Sequence, residues 1–219
     1  LPISQHCIMH VQSGYLLLVL LQLMVTVYNS QITCCHNCTC TPEAGLNNTT
    51  IFLADCSHKG LHNVPRCIPK TVKELSLQNN NIKEILPDDF KSFYHMRLLN
   101  LSYNQLARLH KDAFRYLKEL QILNLNGNRL TLKTDSLPPG IFRNSRHLKK
   151  LNMRLQSSEV DVRTRSYPND VLKDIKHLQY LSTDGLPNKD LPEGFASLTN
   201  LETLIFASKG ISNMGKLSR

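Results

Sequence analysis

The side chains best equipped for covalent chemistry in this 219-residue sequence are seven cysteines, which all lie between Cys7 and Cys67. In an oxidising compartment such clustering predicts disulfide bonds that close a cap at one end of a larger structure. The Cys35-x-x-Cys38 spacing also occurs in half of a zinc site, but no second cysteine pair or well-spaced histidines accompany it. We therefore expect no metal ligands. The disulfide candidates are Cys34, Cys35, Cys38, Cys40, Cys56 and Cys67.

Other residue patterns typical of catalysis are missing from the sequence. The nine histidines are scattered without HxxxH or HExxH spacing, and no GxSxG, phosphate-loop or dinucleotide motif occurs. The adjacent carboxylates Asp88 and Asp89 lie in a predicted loop between Pro87 and Phe90. The sequence therefore predicts no catalytic residues, no cofactor and no enzymatic activity.

An apolar run at residues 15–27, YLLLVLLQLMVTV, bears on whether the chain is secreted or spans a membrane. As a helix it would span about 20 Å, which is less than the ~30 Å hydrocarbon core of a membrane. This length is typical of a signal peptide, so we expect one at residues 1–30, although residues 1–14 contain no lysine or arginine. Four glycosylation sequons fit the same secretory route: Asn37, Asn47, Asn48 and Asn100.

A repeat dominates the rest of the chain. Three segments align without gaps on LxxLxLxxNxL, beginning at the evenly spaced positions Val72, Met96 and Leu120. The central leucines of each segment alternate on a short strand and need neighbouring repeats to bury them. An asparagine follows each strand, where its amide can pair with backbone groups of adjoining turns. This predicted asparagine ladder consists of Asn80, Asn104 and Asn128.

Three less regular repeats begin near residues 148, 178 and 201, and the steps to the first two are longer than those between the regular repeats. At the ladder position these repeats have Gln156, Leu186 and Lys209. We therefore expect the backbone polar groups of those turns to be satisfied differently. A large apolar residue also lies six positions before the start of each of the last five repeats. These return residues are Phe90, Phe114, Phe142, Leu172 and Phe195.

This pattern is that of leucine-rich repeats, which stack into an α/β solenoid shaped like a horseshoe. Short parallel strands should line the concave face, with mostly loops and short helical turns on the convex side. We predict a cysteine-rich cap at residues 31–71 and about six repeats at residues 72–219, the last one truncated. Extra residues around 131–138 and 156–168 should form loops on one side of the solenoid.

The cysteine spacing before the first repeat resembles the N-terminal cap of extracellular leucine-rich-repeat proteins. From Cys34 onward the repeats, with PxxF returns at 87–90, 139–142 and 192–195, are similar to the ectodomain of Toll-like receptors. The resemblance implies three disulfide bonds: Cys34 to Cys40, Cys38 to Cys56, and Cys35 to Cys67.

The Toll-like resemblance implies innate immune recognition by a receptor at the cell surface or in an endosomal membrane. Such a receptor binds a protein or microbial pattern and pairs with itself or a relative, and its membrane helix and signalling domain would come after Arg219. The alternative is a secreted or matrix leucine-rich-repeat protein for binding or adhesion, or a soluble decoy. All of these share one fold.

Side chains between the buried leucines point to the concave face, the usual binding surface of such solenoids. An ordinary solvated sheet, with the ligand bound elsewhere, is the alternative. The mostly polar candidates, joined by Leu98 and Ile122, are Glu74, Ser76, Gln78, Asn100, Ser102, Asn124 and Asn126.

A net charge of +9 also raises the question of an anionic ligand. A solvated surface carries such charge without any ligand, and no interleaved aromatic residues are present to stack on bases. Nucleic acid is therefore an unsupported partner. The candidate anion patch is Arg143, Arg146, Lys149, Lys150 and Arg154.

Overall fold

The computed structural model describes residues 32–33, 38–42, 51–156, 169–184 and 193–207. The chain divides into two compact units, residues 1–32 and 33–219, and the repeats belong to the second unit. The expected signal peptide and the sequons at Asn37, Asn47 and Asn48 lie outside the described residues. Within the described ranges, no helix is both long enough and apolar enough to cross a membrane.

The described residues form a sheet whose strands follow one another in chain order. Strands β2 and β3 pair antiparallel, and every later strand pairs parallel with the one before it. The strands are β1 (Ile32–Thr33), β2 (Thr39–Pro42), β3 (Ile51–Asp55), β4 (Glu74–Ser76), β5 (Leu98–Asn100), β6 (Ile122–Asn124), β7 (Lys150–Met153), β8 (Tyr180–Asp184) and β9 (Thr203–Ala207). This confirms the predicted leucine-rich-repeat solenoid.

The return segments between strands consist mainly of turns. Among the described residues they contain one α-helix, α1 (Asn169–Lys173), and a 3₁₀ helix, Glu193–Ser197. The five return residues expected from the sequence are all buried. The rings of Phe90 and Phe114 stack with centroids 6.4 Å apart, and those of Phe114 and Phe142 with centroids 6.1 Å apart. Consecutive repeats therefore contact each other through the return side as well as through the sheet.

The core of the sheet is a column of leucines in register. Leu75 pairs with Leu99, which pairs with Leu123, and the column continues through Leu151, Leu181 and Leu204. Each of these side chains is at most 3% exposed. Burial of one leucine contributes about 1.5–3 kcal/mol, and here every leucine depends on both neighbouring repeats for it.

The asparagine ladder holds successive turns together. Asn104 donates to the carbonyl oxygens of Leu101 in its own repeat (3.1 Å) and Leu77 in the preceding one (2.9 Å). Its Oδ1 accepts from the backbone N–H of Ile82, at 3.0 Å. Asn80 and Asn128 make the corresponding bonds. Each buried amide thus satisfies backbone groups that leucines would leave unpaired.

Gln156 extends this ladder, contrary to the expectation that its turn is satisfied differently. Its Nε2 donates to the carbonyl oxygen of Leu125 (2.9 Å), and its Oε1 accepts from the backbone N–H of Leu130 (3.0 Å). These are the two bonds to the preceding turn that each asparagine makes, now made by an amide one methylene longer. The positions of Leu186 and Lys209 lie outside the described residues.

The cap is joined to the solenoid by strand pairing and is closed by disulfides. Strand β3 pairs antiparallel with β2 on one side and parallel with β4 on the other. A disulfide joins Cys38 to Cys56, as the family resemblance implies. Cys40 and Cys67 are also disulfide-bonded. Cys34 and Cys35, which the resemblance assigns to them, lie outside the described residues.

We predict that replacing Asn104 with leucine lowers the free energy of unfolding by about 3 kcal/mol, because the Ile82 N–H and nearby carbonyls lose a partner in a dry site. Urea unfolding followed by circular dichroism measures the change. Asn81→Ala is the control: its Oδ1 accepts one bond, from Gln105, so the cost should stay below about 1 kcal/mol. Equal losses in the two variants would contradict a special role for the ladder.

A second stability prediction concerns Thr183, which occupies a core position filled by leucine in the regular repeats. Its side chain is fully buried, and its hydroxyl has no hydrogen-bond partner. Thr183→Val should therefore raise the free energy of unfolding by about 1 kcal/mol. Thr183→Ser, which keeps the hydroxyl and loses the methyl group, should lower it in the same unfolding experiment. A destabilised valine variant would show that the hydroxyl is satisfied.

Candidate ligand-binding face

The outer face of the sheet carries three rows of side chains, because alternate strand residues point away from the core and the strands are in register. The first row contains Leu53, Glu74, Leu98, Ile122, Lys150, Tyr180 and Thr203. The second row contains Asp55, Ser76, Asn100, Asn124, Asn152, Ser182 and Ile205. The third row follows at the strand ends: Ser57, Gln78, Ser102, Asn126, Arg154 and Asp184.

Side-chain amides and carboxylates in the second row brace the ends of the strands. Asn124 Oδ1 accepts from the backbone N–H of Asn126, and Asp55 Oδ1 accepts from that of Ser57. Asn100 Oδ1 accepts from the N–H of Ser102 at 3.1 Å, and its Nδ2 donates to Gln78 at 3.0 Å. Such bonds between a side chain and the backbone two residues later fix the direction in which the chain leaves the strand.

Ser102 is one predicted face residue that a ligand cannot reach. It is 1% exposed, and its hydroxyl donates to Asn100 Oδ1 at 2.7 Å. The alternation of strand residues predicted that Ser102 points to the face. Alternation gives only the direction of a side chain and does not show whether a short side chain reaches solvent. The other six candidates are half-buried, so each offers part of its surface to solvent.

Members of the candidate anion patch lie in different surroundings. Lys150 and Arg154 lie on the sheet face at opposite ends of β7, about 13 Å apart along the strand. The guanidinium of Arg143 lies against Gly140 on the return side and lowers the pKa of Asp174, whereas burial raises that pKa by more. The predicted anion patch therefore grouped residues that are close in sequence but have different surroundings in the structure.

A column of left-handed residues forms the edge where the strands turn away. His58, Asn79, Tyr103, Gly127 and Leu155 occupy equivalent positions, and all have φ between 54° and 65°. Glycine and asparagine tolerate this conformation, whereas it costs other residues about 1–2 kcal/mol. Among the other three, Tyr103 and Leu155 place large apolar side chains at this edge at an energetic cost.

Those two side chains, Tyr103 and Leu155, define what we call the turn edge patch. Tyr103 is 49% exposed and Leu155 is 54% exposed. Gly127 lies between them, and a Cβ there would approach the Tyr103 ring to 2.5 Å, so only glycine lets the ring lie flat across the turn. The patch was not predicted, because the residue type at this position changes from repeat to repeat and gives no periodic signal.

The return side of the solenoid carries a charged contact of its own. Arg115 forms an ion pair with Asp88 at 2.6 Å and lies over the ring of Tyr116. The hydrogen bond from Arg115 lowers the pKa of Asp88. Among the described residues, no three histidine, cysteine, aspartate or glutamate side chains are grouped so that they could hold a metal ion.

Comparison with known families agrees with this architecture. Residues 70–130 match a family model described as leucine rich repeat, and residues 119–144 match a second model of the same description. Fold and matches together establish leucine-rich repeats stacked as a solenoid, an architecture that typically presents binding surfaces.

Individual relatives cover only parts of the chain. It is 36% identical over 87 residues to leucine-rich repeat-containing protein 3B of Homo sapiens, Mus musculus and Bos taurus, which is 40% of this chain and 31% of each relative. It is 36% identical over 78 residues to a peroxidasin homolog of Caenorhabditis briggsae, or 36% of this chain and 6% of that protein. The chain thus spans less than a third of these relatives.

Two solved structures share the fold. Human 5T4, also called Wnt-activated inhibitory factor 1 or trophoblast glycoprotein, superposes with a TM-score of 0.60 at 24% identity, over 71% of this chain and 58% of that one. The TLR13 chain of a TLR13-ssRNA13 complex superposes with a TM-score of 0.54 at 22% identity, over 75% of this chain and 22% of that one. At these identities the similarity establishes the fold alone.

We predict opposite pKa shifts for two carboxyl groups of the return side: Asp88 below its ordinary value, because of Arg115, and Asp174 above it, because of burial. Carbon-detected NMR titration measures both. The favourable Asp88 ion pair should therefore persist at neutral pH and be lost as the pH falls through the lowered pKa. Arg115→Gln should return Asp88 towards its ordinary pKa and leave Asp174 unchanged. A shift of Asp174 in that variant would contradict separate environments.

Proposed function

We propose that this chain belongs to the extracellular ligand-recognition scaffold of a Toll-like innate immune receptor, which signals in its full-length form when two ectodomains pair. The observation that carries the proposal is the combination of a cysteine-bonded cap with an outer sheet face on which, among the described residues, most side chains are at least partly exposed and the second and third rows are mainly polar. Such a face serves binding rather than folding, because the core lies on its other side.

The ligand contacts fall on two adjoining surfaces. The sheet face offers the hydrogen-bonding groups of Asn152 and Tyr180, together with the charge of Lys150. The turn edge patch adds exposed apolar area beside it. A protein or a microbial pattern with both polar and apolar groups fits this combination. Nucleic acid is less well supported, because in the described part of the chain the basic residues are dispersed and no exposed aromatic row accompanies them.

A secreted or matrix leucine-rich-repeat protein is the second candidate function. Human 5T4 and leucine-rich repeat-containing protein 3B are similar to this chain, as is the TLR13 chain, so the comparisons leave this candidate as plausible as the first. Both candidates require export and a binding face, and they differ in the segments expected C-terminal to the repeats. The fold is common to both and does not choose between them.

Sequencing the full-length transcript separates the two candidates. For a receptor, further repeats should be followed by a segment of about 20 apolar residues and then a cytoplasmic α/β signalling domain. A stop codon directly after a C-terminal cap would contradict the receptor proposal and leave a secreted binding protein or decoy.

The binding surface is tested in reporter cells that express the full-length protein and receive microbial lipopeptides, proteins or single-stranded RNA. The double variant Tyr103→Asn with Leu155→Gly should lose most of the response while folding at least as stably, because asparagine and glycine accept the left-handed conformation. Leu86→Asn is the control, since Leu86 is 44% exposed in a return segment. A normal response from the double variant would exclude the turn edge patch.

A further inference from the structure

The sequon at Asn100 lies on the candidate face itself. Asn100 is the last residue of β5 and belongs to the second row, where its strand neighbours in register are Ser76 and Asn124. It is half-buried and points away from the leucine core. A group attached to its side chain would therefore project from the middle of the face.

The local hydrogen bonds leave room for such an attachment. The oxygen of the Asn100 amide is held by the Ser102 N–H and hydroxyl, which fixes the amide plane. The nitrogen donates one hydrogen bond, to Gln78 Oε1. Glycosylation replaces one of the two N–H hydrogens with a bond to sugar C1, so the remaining N–H can keep the Gln78 bond. The serine that completes the sequon thus also orients the amide in the folded chain.

We infer that Asn100 carries an N-linked glycan that masks the face of strands β4–β6 and confines macromolecular ligands to strands β7–β9 and the adjoining turn edge. The inference rests on the proposed export and ligand binding. In the transfer step the amide nitrogen displaces a lipid-linked diphosphate from C1 of the activated oligosaccharide and loses one proton. The step takes place on the unfolded chain, before Ser102 becomes buried.

The chemistry of the two halves of the face agrees with this division. The masked half presents the apolar side chains of Leu98 and Ile122, the carboxylate of Glu74 and uncharged polar groups. The open half presents the cations Lys150 and Arg154, with Tyr180 beside Lys150 in the first row on the next strand. Strand β9 lies four strand spacings from β5, about 19 Å, so its face is distant from the attachment point.

Occupancy is measured on protein secreted from a eukaryotic host. The peptide containing Asn100 should be recovered, after amidase treatment in heavy-oxygen water, with the mass of an oxygen-labelled aspartate. Ser102→Thr preserves the sequon and should preserve occupancy, whereas Asn100→Asp removes it. Asn100→Asp keeps a side-chain oxygen for the Ser102 N–H, and Asp55 already makes that bond to Ser57 in this chain. The aspartate variant should therefore fold normally.

Shielding is measured with single cysteines placed on the second row and a maleimide attached to polyethylene glycol. Labelling of Asn124→Cys, one strand from the glycan, should be several-fold slower than labelling of the same cysteine in the Asn100→Asp background. Labelling of Ile205→Cys on β9 should be equal in both backgrounds, and the chain without an added cysteine gives the background rate.

The outcomes separate this inference from the proposed function. Secreted protein with an unmodified Asn100, or with equal labelling of Asn124→Cys in the two backgrounds, overturns the glycan shield and leaves the receptor proposal intact. A chain that is not exported overturns the proposed function itself, and the glycan with it.

Discussion

The solenoid depends on how each turn satisfies its backbone polar groups away from water. A leucine core explains burial but leaves the turn N–H and carbonyl groups without partners, and a buried amide in each repeat supplies them. Because Asn104 bonds to the carbonyl of Leu77 in the preceding repeat, the ladder is a property of neighbouring repeats and no repeat is complete alone. Burial of the leucines thus drives neighbouring repeats to stack, and the amide hydrogen bonds fix the distance between successive turns.

The periodic part of this structure could be predicted from the sequence, since a strand residue and its counterpart in the next repeat must serve the same core. The spacing of Leu75 and Leu99 predicted both strands and their register. Gln156 escaped prediction because the pattern names asparagine, although its amide carries the same donor and acceptor. The burial of Ser102 and the proximity of Arg143 to Asp174 depend on side-chain packing, which spacing does not encode.

The face of the sheet shows how structural and functional demands share one set of residues. Asn124 and Asp55 use an oxygen to brace the strand end, which leaves only the remainder of each side chain for a ligand. The turn edge patch has no such duty: Leu155 leaves more than half of its side chain in solvent and still adopts a left-handed backbone. The left-handed backbone recurs at the equivalent position of the neighbouring turns, so it belongs to the fold, and the exposed apolar side chains are what distinguish this edge as a surface for contact.

The parallel register continues unchanged across repeats of unequal length. Ile122 pairs with Lys150 and Lys150 with Tyr180, although the chain takes a longer path between these strands than between β4 and β5. The register of the sheet therefore does not change with the length of the segments inserted after the strand, and Gln156 keeps the ladder bonds after the first longer repeat. In evolutionary terms, segments at these points are free to lengthen, shorten or change composition without retuning the scaffold, so new specificities can be explored while the fold is inherited intact.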